Sequence, residues 1–130
     1  MNNLILILII TLPLTLLGQG WEQTFGGTNR DVGESVQQTS DGGYIITGWT
    51  NSFGNSVDVY LVKTDGNGNE IWSQTLGGTG GDYGYSVQQT SDGGYIITGY
   101  TIHLTNGFGV SLIKTDGSGN ELWTKTFGGT

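Results

Sequence analysis

Past residue 20, the apolar positions fall in short runs bounded by glycine, asparagine and aspartate, and no stretch keeps a helical spacing of three and four. The clearest run, Tyr44 to Trp49, is apolar on both alternating faces, and Val59, Leu61 and Val62 repeat that pattern. A strand of this kind must be covered on two sides. The pattern predicts strands over Glu34–Thr39, Tyr44–Thr50, Asp58–Thr64 and Glu70–Leu76. Ser40, Asp41, Gly42 and Gly43 form the turn of the first hairpin, and Asp65, Gly66, Asn67, Gly68 and Asn69 that of the second. Linkers are expected over Gly26–Gly33 and Asn51–Val57. Gly makes up 25 of the 130 residues, and each costs roughly 1 kcal/mol inside a helix, so helical repeats are excluded.

The same four-strand pattern occurs twice. Trp21–Ile71 aligns on Trp72–Leu122 without a gap at a period of 51, and 33 of the 51 positions are identical, including the unbroken run Ser35–Gly48 repeated as Ser86–Gly99. Trp123 opens a third copy that reaches Thr130. A period near 50 belongs with propeller blades rather than with leucine-rich or helical repeats, and four antiparallel strands are the content of one blade. The expected architecture is therefore all-β. It comprises tandem four-stranded antiparallel β-propeller blades at 21–71 and 72–122, with a truncated third repeat at 123–130, and about two blades make an incomplete propeller. On this reading Ile45 and Trp49 face one neighbouring blade while Tyr44 and Ile46 face the other. Trp21, Trp72 and Trp123 lie over adjoining blades, and Trp21–Phe25 supplies the fourth strand of a blade whose first three strands are absent.

Residues 1–20 differ from the rest. They carry no charged side chain and hold an apolar core, Leu4–Leu17, broken only by Thr11, Pro13 and Thr15 and followed by Gly18, Gln19 and Gly20. That length suits the apolar region of a signal peptide and falls short of the roughly 20 residues that span a bilayer, although the segment lacks the usual Lys or Arg. Cleavage before Trp21 and a secreted or cell-surface location are expected. The far end, Phe127–Thr130, stops inside the repeat motif, so further blades of the same parent chain are expected.

The run Phe25-Gly-Gly-Thr, then Asp31, Ser35-Val-Gln-Gln-Thr-Ser-Asp-Gly-Gly-Tyr-Ile-Ile-Thr-Gly, Asp58, Lys63-Thr-Asp and Gly68-Asn-Glu-Ile-Trp resembles the Gly-rich β-propeller repeat of secreted and surface proteins of bacteria and archaea. The resemblance covers residues 21–130. It implies a long, exported, many-bladed protein, often with a C-terminal sorting domain of the type IX secretion kind and generally without catalytic activity. Kelch repeats share a similar period and a Gly-Gly pair, but their aromatic spacing is not matched, since Tyr60 becomes Ser111.

Charge and candidate chemistry narrow the role. Eleven acidic residues against four basic ones, a net charge of −7, disfavour nucleic-acid and anionic-membrane partners. The chain has no Cys, hence no disulfide and no thiol chemistry. His103 is the one histidine and stands in the least repeated segment, where a solvated side chain is expected. Asp31, Glu34, Asp41 and Asp58 could in principle furnish the carboxylate pair of a glycoside hydrolase. However, Asp31 and Asp41 recur as Asp82 and Asp92, and repetition marks a structural role. Asp65-Gly-Asn67-Gly-Asn69 and Asp116-Gly-Ser118-Gly-Asn120 place oxygens as a calcium loop does. Glu70 and Glu121 stand where that loop needs Gly, so tight turns are expected, with no metal or cofactor. Asp31 and Asp82 are expected to pin glycine loops. No catalytic residue is assigned. The favoured function is a non-catalytic scaffold that binds protein or glycan through the variable loops 51–57 and 102–108. The alternative is the N-terminal part of a polysaccharide-acting enzyme whose catalytic residues lie beyond residue 130.

Overall fold

The computed structural model describes residues 20–103 and 107–129, so the expected signal peptide lies outside the described residues except for Gly20. Eight strands form two four-stranded antiparallel sheets, and among the described residues there is no helix. The first sheet runs in chain order through β1 (Asp31–Gln38), β2 (Tyr44–Thr50), β3 (Asp58–Thr64) and β4 (Glu70–Leu76). The second repeats that order with β5 (Gly81–Gln89), β6 (Tyr95–His103), β7 (Gly107–Thr115) and β8 (Glu121–Phe127). The two sheets alone close no barrel or ring.

The turns follow the chemistry of their residues. Gly42, Gly68, Gly93 and Gly119 take φ between +81° and +83°, a conformation that a side chain disfavours. Asp41 accepts a hydrogen bond from the Gly43 amide at 3.0 Å, as Asp92 does from Gly94 at 2.9 Å. Three boundaries differ from the sequence pattern. β1 starts at Asp31 rather than Glu34, because Asp31, Val32 and Gly33 pair with Thr50, Trp49 and Gly48 ahead of a bulge between Gly33 and Ser35. In the second repeat, pairing runs on through Ile102↔Phe108 and His103↔Gly107, so most of the expected loop 102–108 is strand. Trp123 lies within β8 and completes the second sheet instead of opening a third unit. Any 51-residue frame describes a repeat equally well, and the sheets fall at 31–76 and 81–127.

Each sheet has a forward face, turned toward later residues, and a rear face. The forward face of the first sheet carries Ile45, Thr47, Trp49, Val59, Leu61 and Leu76, and it packs on Val87, Tyr95, Ile97 and Ile113 from the rear face of the second. Ile45, Val59, Leu61 and Leu76 with those four make the hydrophobic core, and Trp72 packs against it. The sheets approach closely where β5 has no side chain: a Cβ on Gly84 would stand 2.6 Å from Thr47 Oγ1 and 2.9 Å from both the Gly48 carbonyl and Val59 Cγ1. Hydrogen bonds stitch the rim. The Gln89 amide donates to Gln37 Oε1 at 2.9 Å, the Ser40 amide to Gln89 Oε1 at 2.8 Å, and the Asp82 amide to the Val57 carbonyl at 2.8 Å.

The tryptophans act one unit ahead. Trp72, on β4, meets Tyr95 edge-on at 5.9 Å and covers the Gly119 turn of the second sheet. Trp21 does the same to the first sheet, 6.0 Å from Tyr44 and over Gly68. Residues 21–25 form no strand, since no β3-like neighbour lies beside them to complete a ladder.

Coverage by a neighbour, rather than residue type, sets the energetics of each face. In dilute solution Ile45→Ala should cost about 3 kcal/mol, while the same change at its partly exposed counterpart Ile96 should cost about 1 kcal/mol. Paired urea denaturation curves check this, and equal losses would contradict it.

Candidate functional site

The acidic residues singled out by the sequence are largely committed to holding backbone. Asp31 accepts from the Gly27 amide and Ser52 Oγ, both at 2.8 Å, and from Thr50 Oγ1. Burial pushes its carboxyl up, but these three donors together hold it below its ordinary value. Asp82 is buried and accepts from the Gly78 amide at 2.9 Å, so both carboxylates pin the glycine loop before their strand. Asp65 accepts from the amides of Asn67 and Asn69 and from Asn69 Nδ2 at 2.8 to 2.9 Å, and Asp116 repeats this with Ser118 and Asn120. The loop's own donors thus occupy the oxygens that a cation would use, and the tight-turn reading describes both. Among the described residues no group of three His, Cys, Asp or Glu side chains is placed to hold a metal.

Asp41 lies in the β1–β2 turn and Asp31 at the other end of that hairpin, about 20 Å along the strands, too far apart to share a scissile bond. Asp41 instead accepts from Thr39 Oγ1 at 2.5 Å and from buried Lys63, with Nζ to Oδ2 at 2.9 Å. Lys63 Nζ also donates to the Thr64 carbonyl at 2.8 Å. Asp92 and Lys114 form the same arrangement with a 3.0 Å ion pair. The carboxylates that do come together are Asp58 and Asp82, from different repeats, which flank Gly77 so closely that a Cβ there would lie 2.6 Å from one and 2.7 Å from the other. Burial, and then the charge of Asp82, push the Asp58 carboxyl above its ordinary value, although Ser56 donates to it. Nothing in the sequence signals this pair, because only the packing of two sheets creates it. His103 ends β6, exposed, and borders a cleft of ≈ 310 Å³ with Asp82, Thr101, Glu121 and Thr124.

A second grouping is a row of aromatic rings along one end of the strands. Arg30 sits 5.0 Å over Trp49, Trp49 meets Tyr83 edge-on at 5.6 Å, and Tyr83 stacks on Tyr100 at 4.5 Å and 12°. Tyr85 and Phe108 flank Tyr100 at 5.5 and 6.0 Å, both exposed. Burial, and then the neighbouring hydroxyls of Tyr85 and Tyr83, push the Tyr100 phenol up to about 12, so it stays neutral. In the first repeat the counterparts of Tyr83, Tyr85 and Phe108 are Val32, Glu34 and Val57. These substitutions gather beside Tyr100, and comparing the divergent positions of the two copies would have found them. Of the variable loops, 51–57 remains a loop and carries exposed Phe53, 5.5 Å from Tyr60, while 102–108 contributes Phe108 to the row.

The forward face of the second sheet is open. Val110 is 54% exposed where its counterpart Val59 is 1% exposed, and Phe127 is 54% exposed against 6% for Leu76. Ile96, Tyr100 and Leu112 share that face and are partly exposed. No helix among the described residues is long and apolar enough to cross a membrane. No known family model matches the chain, and no curated relative does.

Two pH effects follow. Asp41 and Asp92 are held well below the usual carboxylate range, Asp41 by Thr39, Lys63 and Gly43 and Asp92 by Thr90, Gly94 and Lys114. Because their folded values lie below the unfolded ones, their stabilisation is complete above about pH 4 and is lost as pH falls further. Asp41→Asn should therefore lower Tm at pH 7 by leaving Lys63 buried without its partner, and should flatten the decline between pH 4 and 2. Asp58 has the opposite sign, since its charged form is disfavoured in the fold. Asp58→Asn should raise Tm at pH 7, and the gain should vanish below about pH 4. Thermal melts across that range check both expectations.

Proposed function

We propose that the chain is a non-catalytic segment of an exported, Gly-rich β-propeller protein, acting as a scaffold that offers an interaction face. The observation that carries this reading is the forward face of the second sheet, where Val110 and Phe127 stand open at positions whose first-sheet counterparts Val59 and Leu76 are covered. Two antiparallel sheets stacked in chain order, each bracing the next, are what consecutive blades would form. The apolar segment Leu4–Leu17 supports export to the cell surface or medium. A non-catalytic role is supported by the commitment of Asp31, Asp41, Asp65 and their repeat partners to backbone and lysine.

The aromatic row gives the face its chemistry. Flat, neutral rings held at fixed spacing suit the apolar faces of sugar rings or the side chains of a protein partner. A glycan array together with polysaccharide hydrolysis assays tests the proposal. Binding without turnover, weakened roughly tenfold or more by Tyr100→Ala or Phe108→Ala, is the expected result. Measurable hydrolysis by the isolated chain would overturn the non-catalytic reading.

A further inference from the structure

The forward face of the second sheet is a copy of a face whose partner is already visible. Ile45, Thr47, Val59, Leu61 and Lys63 recur unchanged as Ile96, Thr98, Val110, Leu112 and Lys114, while Val32, Trp49, Gln74 and Leu76 of that face become Tyr83, Tyr100, Lys125 and Phe127. In the first sheet the five unchanged residues are buried under the rear face of the next sheet. The rear face that would fit is also present, with Tyr60, Val62 and Thr64 buried but its β1 edge uncovered. Val36 is 63% exposed, whereas its counterpart Val87 is 5% exposed in the core. We infer that the forward face of the second sheet binds the rear face of the first sheet of a second copy of this chain, head to tail, in the geometry that joins the two sheets within one chain. This rests on reading the forward face as an interaction surface, and it names the partner.

Four observations point to a second copy. The glutamines and serine that stitch the rim recur unchanged, so Gln88 and Ser91 are placed to meet Gln38 of a second copy as Gln37 and Ser40 meet Gln89. Gly84 must be glycine because β2 presses on it, yet at the equivalent Gly33 a Cβ would touch only Ile46 Cγ2, at an ordinary 3.7 Å. Among the described residues nothing requires Gly33 to lack a side chain, whereas a second copy's Val110 and Gly99 would. Grooves of ≈ 160 and ≈ 380 Å³ lie between Phe25 and the rear face, bordered by Gly33, Val36, Ile46 and Val62, where strands of a preceding sheet would rest. Finally, Gln74 lies against the Gly119 turn headed by Asp116, and its counterpart is Lys125. In the docked pair that cation comes beside the Asp65 turn of the second copy, so the one change of charge in the outer strand is electrostatically complementary. Docking also sets Trp123 where Trp21 lies over Tyr44 and Gly68, so residues 21–25 of the second copy give way to β8 of the first. The contact is heterologous, with different patches on the two partners, and leaves a free face at each end.

Analytical ultracentrifugation of the full chain tests this. Wild type should sediment as species larger than a monomer at submillimolar concentration. Val110→Lys and Val36→Lys, both at exposed positions, should each be folded by circular dichroism and monomeric. Their equimolar mixture should form a one-to-one dimer and nothing larger, since each retains one intact face. Gly33→Ala should leave the melting of the monomer unchanged yet weaken association roughly tenfold or more. Trp21→Ala should tighten association by loosening the segment that must leave. A monomeric wild type, a mixture that stays monomeric, or lysine variants that still associate would overturn the inference. Monomeric wild type that still binds glycan through Tyr100 would remove the second copy alone. Association that ignores both lysines, without Tyr100-dependent binding, would remove the interaction face as well.

Discussion

A sheet that is apolar on both sides cannot remain bare in water, and that constraint governs the rest of this molecule. The forward face of the first sheet and the rear face of the second bury Ile45, Val59, Leu61, Val87, Ile97 and Ile113 together, each contributing on the order of 1.5 to 3 kcal/mol. Fit depends on Gly84, whose missing side chain lets one strand settle against Thr47 and Gly48. Without that close approach the threonines would line a gap and the rim hydrogen bonds would lengthen.

Polar groups are arranged to serve this packing. Lys63 is buried at the end of β3, where its Nζ ties the Asp41 turn to the Thr64 carbonyl, and Lys114 repeats the arrangement. No buried side-chain nitrogen or oxygen among the described residues is left without a partner. Carboxylates spent in this way are poor candidates for acid–base work. The partly exposed aromatic row, by contrast, supports no neighbouring turn or loop, and its residues differ between the repeats.

Much of this could be read from the residues. Strands over 44–50, 58–64 and 70–76 and both kinds of turn follow from alternation and from Asp-Gly chemistry, because those signals are local. The start of β1 was hidden by Gly33, which reads as linker yet lies in a ladder just before a bulge. Ile102–Phe108 reads as a loop because it diverges from its counterpart, although divergence here lengthened a hairpin. The roles of Asp31 and Asp82 were legible from their repetition beside glycines. The Asp58–Asp82 pair was not, and the members of the Trp49–Tyr83–Tyr100 row were legible only as divergent positions, since both groupings join residues from different sheets and depend on how those sheets meet.

The unbroken identity of Ser35–Gly48 with Ser86–Gly99 has a cost during folding. A nascent β2 finds two nearly equivalent ladders, β3 and β7, and over the shared stretch local energetics hardly separate native from crossed pairing, a hazard of tandem repeats. Discrimination falls to the stretches beyond the identical run. There Trp49 differs from Tyr100, Tyr60 from Ser111, and one hairpin is two residue pairs longer than the other. The variable end of each sheet therefore works as an address label that tells otherwise interchangeable segments which partner is their own.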